Sequence, residues 1–202
     1  MSTSIEQAPL KGPKTARGER TRAKLLDAAE REFGENGFHS TSIGEITRRA
    51  KVALGTFYVY FDSKDEIFRA LVEHMGRTTR SWLAERVVDA SNRLEAERLG
   101  IMVYIDLVRA HRDLHRIVME SQFVAPDAYR NYYDTFVDGY RRNLTGAVKR
   151  GEITPGDAEV RAWALMGMNT FLGLKYGIWD DSRSSEEIAA EAAALITEGM
   201  TP

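Results

Sequence analysis

The chain of 202 residues contains no cysteine. That excludes disulfides, thiolate metal sites and a cysteine nucleophile. No apolar run reaches membrane-spanning length. The N-terminus, with Pro9, Pro13 and scattered charge, lacks the apolar stretch of a signal peptide, so a soluble cytoplasmic protein with no membrane contact is expected. No convincing strand is present, and therefore no glycine-rich phosphate loop following one. No serine sits in a nucleophile-elbow pattern. Carboxylates lie at helical surface spacings beside Arg and Lys, the pattern of a solvated face. Histidine is scarce, with four in the chain. His111 and His115 have the spacing of a metal pair, but no third ligand is placed and Arg112 and Arg116 crowd them, so a solvated or capping role is expected. The sequence predicts no metal, no cofactor and no catalytic residue.

What is present is helical periodicity. The length suffices for one large or two small domains with a sizeable core. The expected fold is all-α, with about nine helices. Residues 1–16 read as a disordered arm, with Lys11 and Lys14 in it and Arg17 just after it as basic groups. A first helix spans about Arg17 to Asn36, with Leu25, Ala29 and Phe33 inward and Gly37 as a left-handed C-cap. Helices also span about Ser63–Asp89, Asn92–Ala110, Asp113–Phe123 and Pro126–Arg150. The last carries an aromatic stripe of Tyr129, Tyr133, Phe136 and Tyr140, more often core than ligand box. Thr154 is the expected cap of an eighth helix with Pro155 at its first position. Its segment Ala162–Leu174 is apolar except for Asn169 and Thr170, so it needs cover on both sides. Gly173 and Gly177 would let another helix approach. Ser184 with Glu187 opens a ninth helix ending near Gly199. Two such helices from each of two chains would form a four-helix dimer interface, with Gly173, Gly177, Leu195 and Ile196 as candidates. A well-buried core helix is the competing reading.

The stretch Thr41–Lys64 is more specific. Ser42 and Glu45 form a capping box, and Ile43, Ile46 and Ala50 share one face while Arg48 and Arg49 stay outside. The chain turns at Lys51-Val52-Ala53. A second helix follows from Leu54 to Phe61, anchored by Phe57 and Phe61, with Gly55, Thr56, Tyr58 and Tyr60 on its other side. Gly55 permits close approach to a base edge or phosphate. Thr56 can bond a base edge and offer a methyl to thymine. Tyr58 and Tyr60 reach phosphates at low entropic cost, and Lys64 stands at a helix start where phosphate can dock. Residues 1–64 hold 11 basic and 8 acidic side chains, and the rest 17 and 22, so the positive end coincides with this stretch.

The ordered string resembles the DNA-binding signature of the tetracycline-repressor (TetR) family. Its matching parts are Thr41-Ser42 with Ile46-Thr47, Ala50 and Val52 at the turn, Gly55-Thr56-Phe57-Tyr58, Tyr60-Phe61 and Ser63-Lys64. Two departures stand out. The family usually has Gly where Lys51 sits, in a left-handed position where Lys costs roughly 1 kcal/mol. It often has Ser at Ala53, so one hydroxyl contact is missing. The resemblance implies a helix-turn-helix DNA-binding domain over 17–62 and a ligand-binding and dimerisation domain over 63–202. It implies Thr41, Ser42, Arg48, Lys51, Ala53, Gly55, Thr56, Tyr58, Tyr60 and Lys64 as DNA-binding residues. It implies a homodimeric transcriptional repressor, released from a palindromic double-stranded operator by a small hydrophobic or aromatic effector, with the fourth helix as lever. Trp82, Tyr104, Met119, Phe123, Tyr133, Phe136, Met166 and Phe171 lie on helices that line the effector cavity in that family. Asn169 is a candidate polar anchor there. Few unpaired charges accompany them, so the buried part of the ligand is not expected to be a polyanion. A ligand-independent dimeric DNA-binding protein, and a helical-cavity metalloenzyme using His111 and His115, are the alternatives.

Overall fold

The structure, a computed structural model, describes residues 15–200. The expected arm thus lies almost wholly outside the described residues. Those residues form α1 (Ala16–Ser40), α2 (Ile43–Ala50), α3 (Leu54–Tyr60), α4 (Lys64–Val87), α5 (Arg93–Ala110), α6 (Arg112–Val124), α7 (Pro126–Lys149), α8 (Ala158–Gly173) and α9 (Ser185–Met200). A π-helical turn, Leu174–Trp179, follows α8. No strand occurs among the described residues, so the fold is all-α. None of their helices is long and apolar enough to cross a membrane.

Two compact units divide after Leu71. The expected boundary at residue 62 falls short because the first turns of α4 belong to the N-terminal core. Phe68 sets its ring edge against Phe33 and Phe38, with centroids 5.1 and 5.0 Å apart, and Ile67 and Leu71 are fully buried. Thr15 caps α1 by accepting from Gly18 N. The helix breaks at Gly37, whose φ of 78° and ψ of 167° lie in a region essentially restricted to glycine. Gly37 thus ends the regular helix as expected, but with a more extended ψ than a left-handed cap. At α2, Ser42 and Glu45 form the capping box, each side chain bonded to the other's backbone N–H.

The C-terminal unit, residues 72–200, is built on Ile101 and Ile105 of α5, Val137 and Leu144 of α7, Leu165 of α8 and Ile188 and Ile196 of α9. Two sequence expectations are corrected here. Asp157, not Thr154, caps α8: its carboxylate accepts from Glu159 N and Val160 N. Thr154 is held instead at the end of α9, where its N–H donates to Met200 O. The glycines expected at a dimer interface serve the chain's own packing. A Cβ on Gly173 would lie 2.6 Å from the Tyr104 ring, and one on Gly177 2.5 Å from Val108 Cγ1, so both let α8 and its π-turn close on α5. Ile196 is likewise core rather than interface, while Leu195 is exposed.

Candidate functional site

Each unit carries a candidate site, and the first is the exposed side of α2 and α3. Lys51 is the only non-glycine residue with positive φ among the described residues, at φ 56° and ψ 44°. That left-handed step lets its own N–H reach Arg48 O and the next N–H reach Thr47 O, which turns the chain from α2 into α3. Phe57 and Phe61 are fully buried and fix the roll of α3. The roll leaves Ala53, Leu54, Gly55, Tyr58 and Val59 outward, with Thr56 and Tyr60 half-buried. A Cβ on Gly55 would meet nothing within 4 Å. The fold therefore does not require glycine there, and the missing side chain makes room for something outside the chain. Leu54 and Val59 are 53% and 61% exposed, and neither was among the expected contact residues.

Not every expected contact residue is available. Thr41 is buried, and its hydroxyl donates to Glu32 O at 3.0 Å and Gly37 O at 2.8 Å. Lys64 Nζ donates to Phe38 O at 2.7 Å and Thr41 O at 2.8 Å and lies 4.4 Å from the Phe38 ring centre. Both residues pin the end of α1 instead of facing outward, which corrects their assignment. Ser42 is exposed but engaged with Glu45; its hydroxyl helps hold the Glu45 carboxyl below its ordinary pKa. Arg49 bridges Glu32 and Glu35, each at 2.6 Å. Of the cations on α2 and at the turn that follows it, Arg48 and Lys51 are exposed and make no ion pair among the described residues.

The second site is a cavity of about 280 Å³ in the C-terminal unit, walled by α4, α5, α7 and α8. Of the residues expected there, Tyr104, Tyr133, Phe136, Met166 and Asn169 line it. Four do not. Phe123 and Phe171 are 82% and 70% exposed, pointing away from it on α6 and α8. Trp82 lies under the Arg86 guanidinium, 3.5 Å from its ring centre, and Met119 sits on α6, which contributes nothing to the wall. Helical spacing alone could not tell the inner from the outer side of these helices.

The wall is less neutral than its aromatic residues suggested. Arg80, Arg93 and Arg142 all line it, cations that the expectation of few unpaired charges did not include. Arg93 pairs with the buried Glu97 at 2.6 Å. Burial pushes the Glu97 carboxyl up, against the downward pull of Arg93. Burial likewise raises the Tyr104 hydroxyl to about 12 and the Tyr133 and Tyr140 hydroxyls further, so these phenols stay neutral hydrogen-bonding groups. Arg93, Arg142 and Asn143 also line an adjoining, largely polar hollow with Ser91, Asn92 and Arg150. The arrangement suits an apolar body in the cavity and an anionic group at Arg93 and Arg142, which line both hollows.

His115 is buried on α6, contrary to its expected solvated role, and burial lowers its pKa. Among the described residues no group of three metal-ligating side chains exists.

Residues 25–71 match the model for bacterial regulatory proteins of the tetR family. The HTH-type transcriptional regulator YdgC of Bacillus subtilis is 28% identical over 195 residues, spanning 93% of this chain and 96% of its own. The solved structure of the transcriptional regulator FadR from Bacillus subtilis in complex with stearoyl-CoA superposes with a TM-score of 0.75 at 22% identity, covering 88% of this chain and 98% of that one. AibR, in complex with isovaleryl coenzyme A and operator DNA, gives a TM-score of 0.67 at 21% identity, covering 87% and 97%.

Proposed function

By its N-terminal domain the chain belongs to the tetR family of bacterial regulatory proteins, and from there we propose that it is a homodimeric, sequence-specific DNA-binding repressor relieved by an acyl coenzyme A thioester. The DNA part rests on the α2–α3 face. Its hydrophobic anchors are buried, its outward residues are Leu54, Gly55, Tyr58 and Val59, and Arg48 and Lys51 flank them. α3 carries no charged side chain, so base reading there falls to Thr56 and to apolar contact with thymine methyls. Arg48, Lys51 and the tyrosines would hold phosphates.

One helix-turn-helix reads too few bases for useful specificity, so two copies are needed, about one DNA turn or more apart. Exposed Val160, Trp163 and Phe171 on α8 and Leu195 on α9 support a partner chain at these helices, in place of the glycines first considered. The effector reading rests on one observation: an apolar, tyrosine-rich cavity bordered by Arg80, Arg93 and Arg142. It fits an acyl chain inside and an anionic coenzyme A moiety at the arginines; the FadR structure is in complex with stearoyl-CoA and the AibR structure with isovaleryl coenzyme A. At about 280 Å³ the cavity is at the small end for ligand sites, which favours short or medium chains. α4 contributes Arg80, Leu83 and Val87 to the wall and begins at Lys64 in the N-terminal unit. A ligand that moves α4 would change the DNA-reading geometry by no more than its differential affinity for the two states. This is a regulator acting on cytoplasmic DNA, with no catalytic step.

The test is selection from a random duplex library with purified protein, followed by titration of decanoyl-CoA against the selected site. Palindromic enrichment and a loss of DNA affinity on adding decanoyl-CoA are expected. A library without enrichment overturns the regulator reading. Enrichment that is indifferent to coenzyme A thioesters of every chain length leaves the ligand-independent DNA-binding alternative.

A further inference from the structure

Asn169 interrupts the apolar run of α8 and is 8% exposed. It lines the cavity. Its Nδ2 donates to the Tyr140 hydroxyl at 2.9 Å, across from α8 to α7. Its Oδ1 is buried and has no hydrogen-bond partner among the described residues. Tyr140 is itself half-buried on the cavity wall, with the Arg93 guanidinium 5.8 Å from its ring centre. Arg93 Nε is also buried without a partner. An apolar side chain at 169 would avoid leaving a buried acceptor open, and such an open acceptor is costly unless something supplies a donor. The neighbouring wall residues Met166 and Phe136 carry no donor, and the Tyr133 hydroxyl is engaged with Tyr129 and Thr170. A wholly saturated acyl chain brings no donor either: it would cover Oδ1 with methylenes and strip it of water.

We propose that the effector of this chain is a hydroxylated acyl thioester, whose chain hydroxyl donates to Asn169 Oδ1 inside the cavity, and that Asn169 is the residue selecting it. The proposal rests on the acyl thioester reading above and narrows it. A hydroxyl is the smallest group that answers the site, and it both donates and accepts. It therefore satisfies the amide while its own oxygen remains available to a second donor. Tyr140 is a positioning residue, since it engages the other end of the Asn169 amide and holds it across the cavity. Sites built to bond a ligand hydroxyl discriminate strongly against the analogue lacking it, because the protein group is then left unpaired.

The experiment compares decanoyl-CoA with its 2-, 3-, 5- and 9-hydroxy derivatives by calorimetric titration into the full-length protein. At least one hydroxy isomer should bind about tenfold or more tightly than decanoyl-CoA, the scale of one buried unsatisfied acceptor. Asn169→Leu should erase that preference. It should also bind decanoyl-CoA more tightly than the wild type does, an outcome that mere structural damage would not produce. Circular dichroism melting confirms that the variant is folded. Tyr140→Phe should reduce the preference without erasing it. Wild-type protein that binds decanoyl-CoA at least as tightly as every hydroxy isomer overturns this inference and leaves the acyl thioester reading standing. A preference for a hydroxy isomer that survives in Asn169→Leu also overturns it. Protein that binds no member of the panel overturns both readings.

Discussion

In residues 15–71 the inner polar side chains find partners within the fold, while Arg48, Lys51 and Tyr58, which the sequence offered to a nucleic acid, stay exposed. The Thr41 hydroxyl reaches two carbonyls, the Lys64 ammonium spans the end of α1, and Arg49 is held by two glutamates. In residues 72–200 the opposite holds. Asn169 Oδ1, Arg93 Nε and His115 Nε2 are buried without hydrogen-bond partners. A domain whose internal polar groups are satisfied has its recognition chemistry on the surface, here at α3. A domain whose interior groups are left open has it inside, because buried polar atoms are ordinarily paired.

The largest effect expected from breaking this comparison lies at Lys64. If its ammonium is structural, Lys64→Met removes charge-assisted bonds to the Phe38 and Thr41 carbonyls. The melting transition of the N-terminal unit should then lose about 2–3 kcal/mol, given that a hydrogen bond to a charged group contributes ~1.5–3 kcal/mol and Lys64 is only half-buried. DNA affinity would fall as a consequence of that loss and recover on cooling. A variant as stable as the wild type whose DNA affinity alone falls would return Lys64 to the phosphate-contact role first read from its position at a helix start.

Lys51 sharpens the contrast in the other direction, as a residue of the first unit that is strained and exposed. Relieving its left-handed backbone with Lys51→Gly should stabilise the protein by about 1 kcal/mol, seen as a higher denaturant midpoint. If the ammonium also meets a phosphate, the same change weakens binding alike across operator variants. It would lower the salt dependence of DNA affinity by about one ion. Higher stability with an unchanged salt slope would assign Lys51 to the turn alone.

The helices and their order were legible in the sequence, and so was the turn, because capping boxes, the Gly37 break and the buried pair Phe57 and Phe61 are local signals. The Lys51 conformation was legible only through family resemblance, which marked the position as one that usually holds glycine. What escaped was the destination of long or small side chains. Lys64 could reach outward or back, and only the packed end of α1 decides. Gly173 and Gly177 signal close approach, but spacing does not say whether the approaching helix is α5 or another chain. Phe123, Phe171, Tyr133 and Phe136 look alike as periodic aromatics, and only the roll of each helix separates those on the wall from those outside. The arginines of the wall were missed because Arg80, Arg93 and Arg142 read as ordinary surface charges.

The smallest expected effect concerns His115, the buried group of α6 that the cavity does not use. Burial lowers its folded-state pKa below the ordinary 6.5, whereas the unfolded chain keeps the ordinary value. Below pH 6.5 the unfolded state therefore takes up a proton that the folded state declines. By linkage, stability falls as the pH drops from 6.5 towards the lowered folded value, and is flat in this term above that window. His115→Phe keeps an aromatic ring and removes both the titration and the unpaired Nε2. Melting temperatures of wild type and variant measured from pH 7.5 to 5 should keep a constant offset above about pH 7. Below that pH they should diverge in the variant's favour. Parallel curves over the whole range would mean that His115 finds a proton acceptor in the folded state, and that this interior polar group is satisfied after all.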